Sequence, residues 1–214
     1  LRTPVSVIRA NSETLVDGAL DDKKQSKVFA KAILHNAERL SDMVSSLLDL
    51  SRIDYGELKL NIEELHINEH INKAIDSLKN LGKRKNISIS CSCSKGKIVL
   101  ADKNALERIL NNLIENAFKY SDSESTINIS SRKVKDHLEI SVKDSGKGIP
   151  DEEQDYLFDR FYRTAEARAT EEKGSGLGLA IVKNLVNNLN GEVGIRNVKP
   201  QGSTFWFTLP LKTS

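Results

Sequence analysis

The stretch Gly174-Ser175-Gly176-Leu177-Gly178-Leu179-Ala180-Ile181-Val182-Lys183 sets three glycines at alternate positions directly ahead of an apolar helical pattern. Glycine admits backbone conformations and close approaches that a Cβ would block. A helix that starts there turns its unsatisfied N–H groups toward the loop, which makes a cradle for an anion such as phosphate. The same spacing also serves a plain tight turn. Upstream, Asn112 and Asn116 stand one turn apart on a helical pattern, with Lys119 and Tyr120 following. Paired amide oxygens suit a hydrated Mg²⁺, and a lysine meets phosphate as a point charge; a solvated helix face has the same composition. Asp144-Ser145-Gly146-Lys147-Gly148-Ile149 follows a strand-like run. A carboxylate there can accept from the exocyclic amine of a planar base while the glycines leave room for the ring, and an ordinary turn has this composition too. Phe158-Asp159-Arg160-Phe161-Tyr162-Arg163 is an aromatic and basic cluster leading into the polar stretch 164–173. That stretch suits a lid, with Arg160 or Arg163 within reach of phosphates and the two phenylalanines as alternative core anchors.

These groups need elements to hold them. Apolar residues Val5, Ile8, Leu15 and Val16 follow Pro4, a turn occupies 17–22, and Phe29, Ile33, Ala37, Leu40, Val44 and Leu47 make a heptad-like seam. Two helices with so narrow a stripe form an antiparallel hairpin that completes a four-helix bundle as a homodimer, or that lies on its own downstream domain. Residues 51–56 mark a boundary, giving a hairpin over 1–55 and a mixed α and β domain over 56–214. Within the latter, strands are expected at Leu58–Ile62, Ile87–Cys93, Lys97–Leu100, Ile127–Ile129, Leu138–Val142, Glu192–Asn197 and Thr204–Leu209. The last two close as a hairpin around Pro200-Gln201-Gly202. Helices are expected from Ile71 to Gly82, after Asp102 as N-cap, and from Gly178 to about Asn190 with Gly191 as its C-terminal cap. The fold class is therefore α+β, a helical hairpin followed by a two-layer α/β sandwich.

The chain of 214 residues is 38% hydrophobic and 29% charged, with a net charge of +2. That balance describes a globular chain without a strong field for nucleic acid or membrane surfaces. The two cysteines, Cys91 and Cys93, sit two apart in a strand-like run, too close for an ordinary disulfide and without a second ligand pair for zinc. They fit filler roles in a reducing compartment. No run of about eighteen apolar residues occurs, and no signal peptide is visible. A start on Leu rather than Met reads as a fragment, with room for a membrane segment upstream.

Taken together and in order, Asn112/Asn116/Lys119/Tyr120, Asp144/Gly146/Gly148, Phe158/Phe161 and Gly174/Gly176/Gly178 resemble the N, G1, F and G2 boxes of sensor histidine kinases of two-component systems. Gly202-Ser203-Thr204-Phe205 is similar to the last glycine box of that family. Leu1-Arg2-Thr3-Pro4 resembles the tail of its phosphoacceptor box, and Leu47-Leu48-Asp49-Leu50-Ser51-Arg52 its second dimerisation helix, so nearly the whole chain is covered. The resemblance implies a Bergerat-type ATP fold and transfer of the γ-phosphoryl of ATP to a histidine and then to an aspartate of a response regulator. It assigns Asp144 to the adenine amino group, Asn116 to Mg²⁺, Asn112 and Lys119 to the metal–phosphate region, and Tyr120 to the pocket wall. Gly146, Gly148, Ile149, Phe161, Arg163, Gly174, Gly176, Leu177, Gly178, Leu179 and Thr204 are implied as further nucleotide contacts. Thr3 is implied in dephosphorylation of the regulator, against a plain role as a helix-start residue.

The resemblance also places the acceptor histidine and its following glutamate immediately before Leu1. None of His35, His66, His70 and His137 stands in an acceptor motif; His35 lies on a hairpin helix, His66 and His70 in a linker and His137 in a turn. The chain is therefore expected to bind ATP without phosphorylating itself at the usual site. A cytoplasmic core, anchored in the whole protein to the cell membrane, is the matching location. Two other readings stand beside this one: a non-catalytic nucleotide-binding interaction module, and a Bergerat ATPase of the chaperone, topoisomerase or mismatch-repair kind. The hairpin is foreign to the latter, which also usually places a catalytic Glu where this chain has Asn112, with Glu115 off that face.

Overall fold

The computed structural model describes residues 2–54, 59–83, 85–94, 96–169, 174–198 and 201–212. Leu1, the boundary residues 55–56, Leu58 of the first expected strand, residues 170–173 of the expected lid and Pro200 of the last turn lie outside the described residues. The chain divides into two compact units, Leu1–Arg52 and Ile53–Ser214.

The first unit is helical. Helix α1 (Arg2–Val16) opens with Pro4 in its first turn, where a missing N–H costs nothing. A turn at Asp17 and Gly18, whose φ is +128°, and a short 3₁₀ segment (Ala19–Asp21) lead to α2 (Lys23–Asp54). The Asp22 carboxylate accepts from the N–H groups of Lys24 and Gln25, satisfying two of α2's orphan donors. Val5, Leu34, Val44 and Leu48 stand exposed along the two helices.

In the second unit, β1 (Ile62–His66) runs into α3 (Ile67–Lys83), followed by β2 (Ser88–Ser92), β3 (Ile98–Asp102) and α4 (Lys103–Tyr120). The antiparallel hairpin β4 (Thr126–Val134) and β5 (His137–Lys143) comes next. Two short helices, α5 (Asp151–Gln154) and α6 (Ala165–Ala169), precede α7 (Gly178–Asn188), and β6 (Val193–Asn197) and β7 (Ser203–Pro210) close the fold. A five-stranded sheet has the order β2-β4-β5-β7-β6, antiparallel except for the β2–β4 pair, and β1 and β3 make a separate antiparallel pair. Helices α3, α4 and α7 form the second layer, with α4 between the other two. Inward residues Ile127, Ile129, Leu138, Ile140, Val142, Phe207 and Leu209 meet Leu106, Ile109, Leu110, Leu113 and Ile114 of α4, all essentially fully buried. At about 25 cal/mol per Å² of apolar surface, this interface is the main stabilising term of the unit.

Several element boundaries differ from expectation. The first strand starts later than expected, with residues 59–61 outside it, and runs Ile62–His66. The cause is Asp102, whose Oδ1 accepts from the Ala105 N–H as the α4 N-cap while Oδ2 takes the Asn61 N–H, so the ladder begins one residue later. His66 and His70 are thus not in a linker: His66 ends β1, and His70 is buried on α3 with Nδ1 3.7 Å from Glu107. His137 opens β5 rather than sitting in the turn. Helix α7 is ended by Asn190 in the left-handed region (φ +56°), not by Gly191. The Gly191 N–H bonds the Val186 carbonyl and the Asn190 N–H that of Asn187, the two bonds of a Schellman cap. Gly191 is needed for space instead, since a Cβ there would lie 1.9 Å from the Thr208 carbonyl oxygen.

Candidate functional site

A cavity of about 440 Å³ opens between the C-terminal half of α4, the loop after β5, the segment around α6 and the start of α7. It falls in the size range of small-ligand sites. Each wall is dictated by local sequence. Helix α4 buries its Leu106–Leu110–Leu113–Ile114 face on the sheet; Asn112, Asn116 and Lys119, at intervals of four and three, follow one another along its flank, and with Tyr120 at the helix end they line the cavity.

At one end lies Asp144, the residue after β5, almost completely buried. Its Oδ1 accepts from the backbone N–H groups of Gly146 and Ser203, each at 3.0 Å. Burial pushes the Asp144 carboxyl above its usual range, and these backbone bonds only partly offset that. Oδ2 takes part in neither bond, and Asp144 lines the cavity. A charged acceptor held on backbone dipoles, with no cation paired to it among the described residues, matches a neutral donor such as an amine on a flat ring. The glycines are spatially required here. A Cβ on Gly146 would sit 2.5 Å from the Tyr120 carbonyl oxygen, and Gly148 has φ +82°.

At the other end, α7 begins at Gly178 without a side-chain cap, so its first N–H groups are open. A Cβ on Gly178 would meet Asn112 Oδ1 at 2.6 Å, and one on Gly174 would meet Lys119 Nζ at 2.8 Å. Asn112 donates through Nδ2 to the Arg108 carbonyl, which fixes its oxygen toward the α7 start. Gly176 has φ +72° and lies against the Phe161 backbone, whose N–H donates to the Gly176 carbonyl at 2.9 Å. Lys119 Nζ lies 2.9 Å from the Tyr120 hydroxyl and 4.6 Å from its ring centroid. The amide oxygens of Asn112 and Asn116 are hard donors fitting a hard cation such as Mg²⁺, and the open α7 start with Lys119 beside it fits an anion.

A third wall carries an ion pair and several hydrogen bonds. Lys147 pairs with Glu166 on α6 at 2.5 Å. Glu153 accepts from the Tyr162 hydroxyl and the Ala165 N–H, and the Arg163 guanidinium donates to the Ala167 carbonyl.

The cavity gathers most of the expected residues. Asn112, Asn116, Lys119, Tyr120, Asp144, Gly146, Gly148, Ile149, Arg163, Gly174, Gly176, Gly178 and Leu179 all line it. Three expected contacts do not. Leu177 is fully buried, in the core rather than at the surface of the cradle. Thr204 sits between Ser203 and Phe205, and those two line the cavity; successive strand residues face opposite sides, so Thr204 points away. Phe161 keeps its ring about half exposed and outside the cavity, contributing only its backbone to the glycine loop, with φ +63°. Arg160 is exposed and outside it as well, which leaves Arg163 as the arginine at the wall. Thr3 belongs to the helical unit, exposed in the first turn of α1. Sequence reasoning missed Lys85, Leu157, Tyr162, Ser203 and Phe205 as wall residues. For Ser203 and Phe205 the period-2 alternation with buried Phe207 and Leu209 carried the signal; for Lys85 no local pattern did.

Two family models match the chain. "Histidine kinase-, DNA gyrase B-, and HSP90-like ATPase" covers residues 101–213, and "His Kinase A (phospho-acceptor) domain" covers residues 1–56. The sensor-like histidine kinase SenX3 of Mycobacterium tuberculosis is 36% identical over 210 residues, 98% of this chain and 51% of that protein. The chain therefore spans about half the length of the curated relatives it matches. Among solved structures, the Acinetobacter baumannii histidine kinase AdeS superposes with a TM-score of 0.83 at 26% identity, covering 100% of this chain and 98% of that one. The histidine kinase ThkA, solved in complex with the response regulator protein TrrA, shares the fold with a TM-score of 0.79 at 24% identity, over 98% of this chain and 58% of that one.

Proposed function

This chain belongs to the histidine kinases, and from that membership we propose that it is the kinase core of a two-component sensor. It binds ATP with Mg²⁺ and serves transfer of the γ-phosphoryl to a histidine and onward to an aspartate of a response regulator receiver domain. The observation that carries this reading is the layout of one cavity. A buried carboxylate with one oxygen outside its backbone hydrogen bonds stands at one end, and a glycine-rich helix start without a side-chain cap among the described residues stands beside a lysine at the other, with a helix of two asparagines between.

In this reading Asp144 accepts from the adenine amine, and Gly146 and Gly148 leave room for the ring beside Ile149 and Tyr120. Gly174, Gly176 and Gly178 let the backbone and the α7 N-terminus close on the phosphates, joined by Lys119 and Arg163. Asn116 and Asn112 hold the Mg²⁺, which neutralises phosphate charge when bound. As in other phosphoryl transfers, the residues contribute by positioning and by fixed charge. Residues 1–55 are the dimerisation hairpin and 56–214 the ATP-binding domain. The exposure of the apolar residues Val5, Leu34, Val44 and Leu48 on the two helices of the first unit supports a homodimer. A receiver-domain partner is supported by the fold likeness to ThkA. Thr3, exposed at the start of α1, is assigned to regulator dephosphorylation. This core is assigned to the cytoplasm and the whole protein to an anchorage in the cell membrane; among the described residues no helix is long and apolar enough to cross it.

Calorimetric titration with Mg-ADP tests the nucleotide site. Saturable binding that weakens on chelation of Mg²⁺ is expected. The absence of heat at millimolar ligand overturns the reading.

A further inference from the structure

Lys85 stands in the short connection between α3 and β2, far in sequence from every residue given a role above. Its Nζ donates to three backbone carbonyls at the C-terminal end of α4: Lys119 at 2.7 Å, Ser121 at 3.1 Å and Phe118 at 3.4 Å. These are the carbonyls a helix end leaves without intrahelical partners, at the negative pole of its dipole. The Lys85 backbone is fixed as well, its N–H donating to the Gly82 carbonyl and its carbonyl accepting from the Glu124 N–H.

The helix end that Lys85 grips is the shelf on which the Asp144 loop rests. The Ser145 N–H donates to Ser121 Oγ at 3.3 Å, and Gly146 lies so close to the Tyr120 carbonyl that a Cβ would sit 2.5 Å from it. One side of the shelf thus locates Asp144, and the other carries Asn116 and Lys119 on α4. We infer that Lys85 is a positioning residue for the nucleotide site: by capping the α4 C-terminus it sets the distance and tilt between the carboxylate end and the phosphate end of the cavity. The assignment rests on the nucleotide reading above and names a part of the site that lies outside the boxes implied by the resemblance.

Loss of this cap removes one wall lysine but keeps Asp144, Asn116, Lys119 and the α7 start, now out of register, so only a ligand that spans both ends should suffer fully. Lys85→Met is expected to weaken Mg-ADP by about tenfold, the scale of a lost positioning contact, while adenosine, which engages the carboxylate end alone, changes by less than about threefold. Amide hydrogen exchange at Ser145 and Gly146 should rise in the same variant. Lys85→Arg restores donors to the same carbonyls and should recover most of the ADP affinity. Should Lys85→Met fail to fold, Lys85→Gln, which is uncharged and one bond too short to hold the three carbonyls, carries the same ADP and exchange expectations. Unchanged ADP affinity, or equal losses for ADP and adenosine, overturns the positioning role while leaving the nucleotide reading intact. Failure of the wild-type chain to bind Mg-ADP overturns both.

Discussion

Strand β5 carries one buried carboxylate, Glu139, and delivers another, Asp144, just past its end, and the chain treats them in opposite ways. Glu139 lies on the sheet face away from the helices, where Arg132 and Arg196 both chelate it with contacts of 2.8–3.1 Å. Arg196 in turn lies 4.5 Å from the Trp206 ring centroid. The two guanidinium groups outweigh burial and hold the Glu139 carboxyl down at about 2. Asp144 has only backbone N–H groups on one oxygen, and burial wins, pushing its carboxyl up. A carboxylate saturated with charged donors is finished as a structural tie. One held by dipoles alone keeps acceptor capacity for a ligand and carries a desolvation cost that the ligand relieves.

The widest separation between the two should come from neutralising each. Asp144→Asn is expected to lower Mg-ADP affinity by about 100-fold, roughly 2.7 kcal/mol, the scale of a hydrogen bond to a charged group, as read by calorimetry. Its thermal midpoint should hold or rise, because an uncompensated buried charge is removed. Glu139→Gln should do the reverse, costing about 2 kcal/mol of stability in denaturant titrations by leaving two arginines without their charge partner, with nucleotide affinity unchanged within about twofold. If Glu139→Gln weakened the nucleotide as much as Asp144→Asn, the contrast would fail.

Acidification separates them by sign. Glu139 titrates lower in the fold than its ordinary 4.5, so its contribution is present above that value and is lost as pH falls toward about 2. Asp144 titrates above its ordinary 3.8, so its own contribution to stability is present at low pH and declines as pH rises through the raised value. Nucleotide affinity should rise across that same interval as the acceptor ionises. Chemical denaturation and ADP titration at stepped pH check both, and in Glu139→Gln the acid limb of the stability profile below 4.5 should flatten. A smaller effect, remote from either carboxylate, tests the α7 cap: Asn190→Gly should add about 0.5 kcal/mol by relieving a left-handed non-glycine residue, measured as a raised unfolding midpoint.

Much of this site was legible in the sequence because it is local. The apolar stripe Leu106–Ile114 fixes which side of α4 bears Asn112, Asn116 and Lys119, and the glycine positions announce close approach before any partner is known. What stayed hidden depends on long-range pairing. Thr204 and its neighbours differ only by strand parity, and parity is decided by the register of β7 on β5, where Phe205 faces Val142. Leu177 reads as part of a phosphate loop, yet it is the residue that seats that loop in the core. Phe161 looks like a pocket aromatic, but the turn it makes against Gly176 swings its ring outward. The shift of β1 comes from one side chain, Asp102, which caps its own helix and also binds the backbone of Asn61, 41 positions away in the chain. Lys85 is the extreme case, since its partners lie 33 to 36 residues away and are carbonyls, which carry no sequence signature.

Whether Asp144 reads the exocyclic amine of adenine is decided by titrating the wild-type chain with Mg-ADP and Mg-IDP side by side. Hypoxanthine presents a carbonyl where adenine presents the amine, so it sets an acceptor against an acceptor. ADP is expected to bind at least about 100-fold more tightly than IDP, with the gap collapsing in Asp144→Asn, because a site built to accept a hydrogen bond rejects a ligand that cannot donate it. Equal affinities for the two nucleotides in the wild-type chain would rule out Asp144 as the acceptor of the adenine amine.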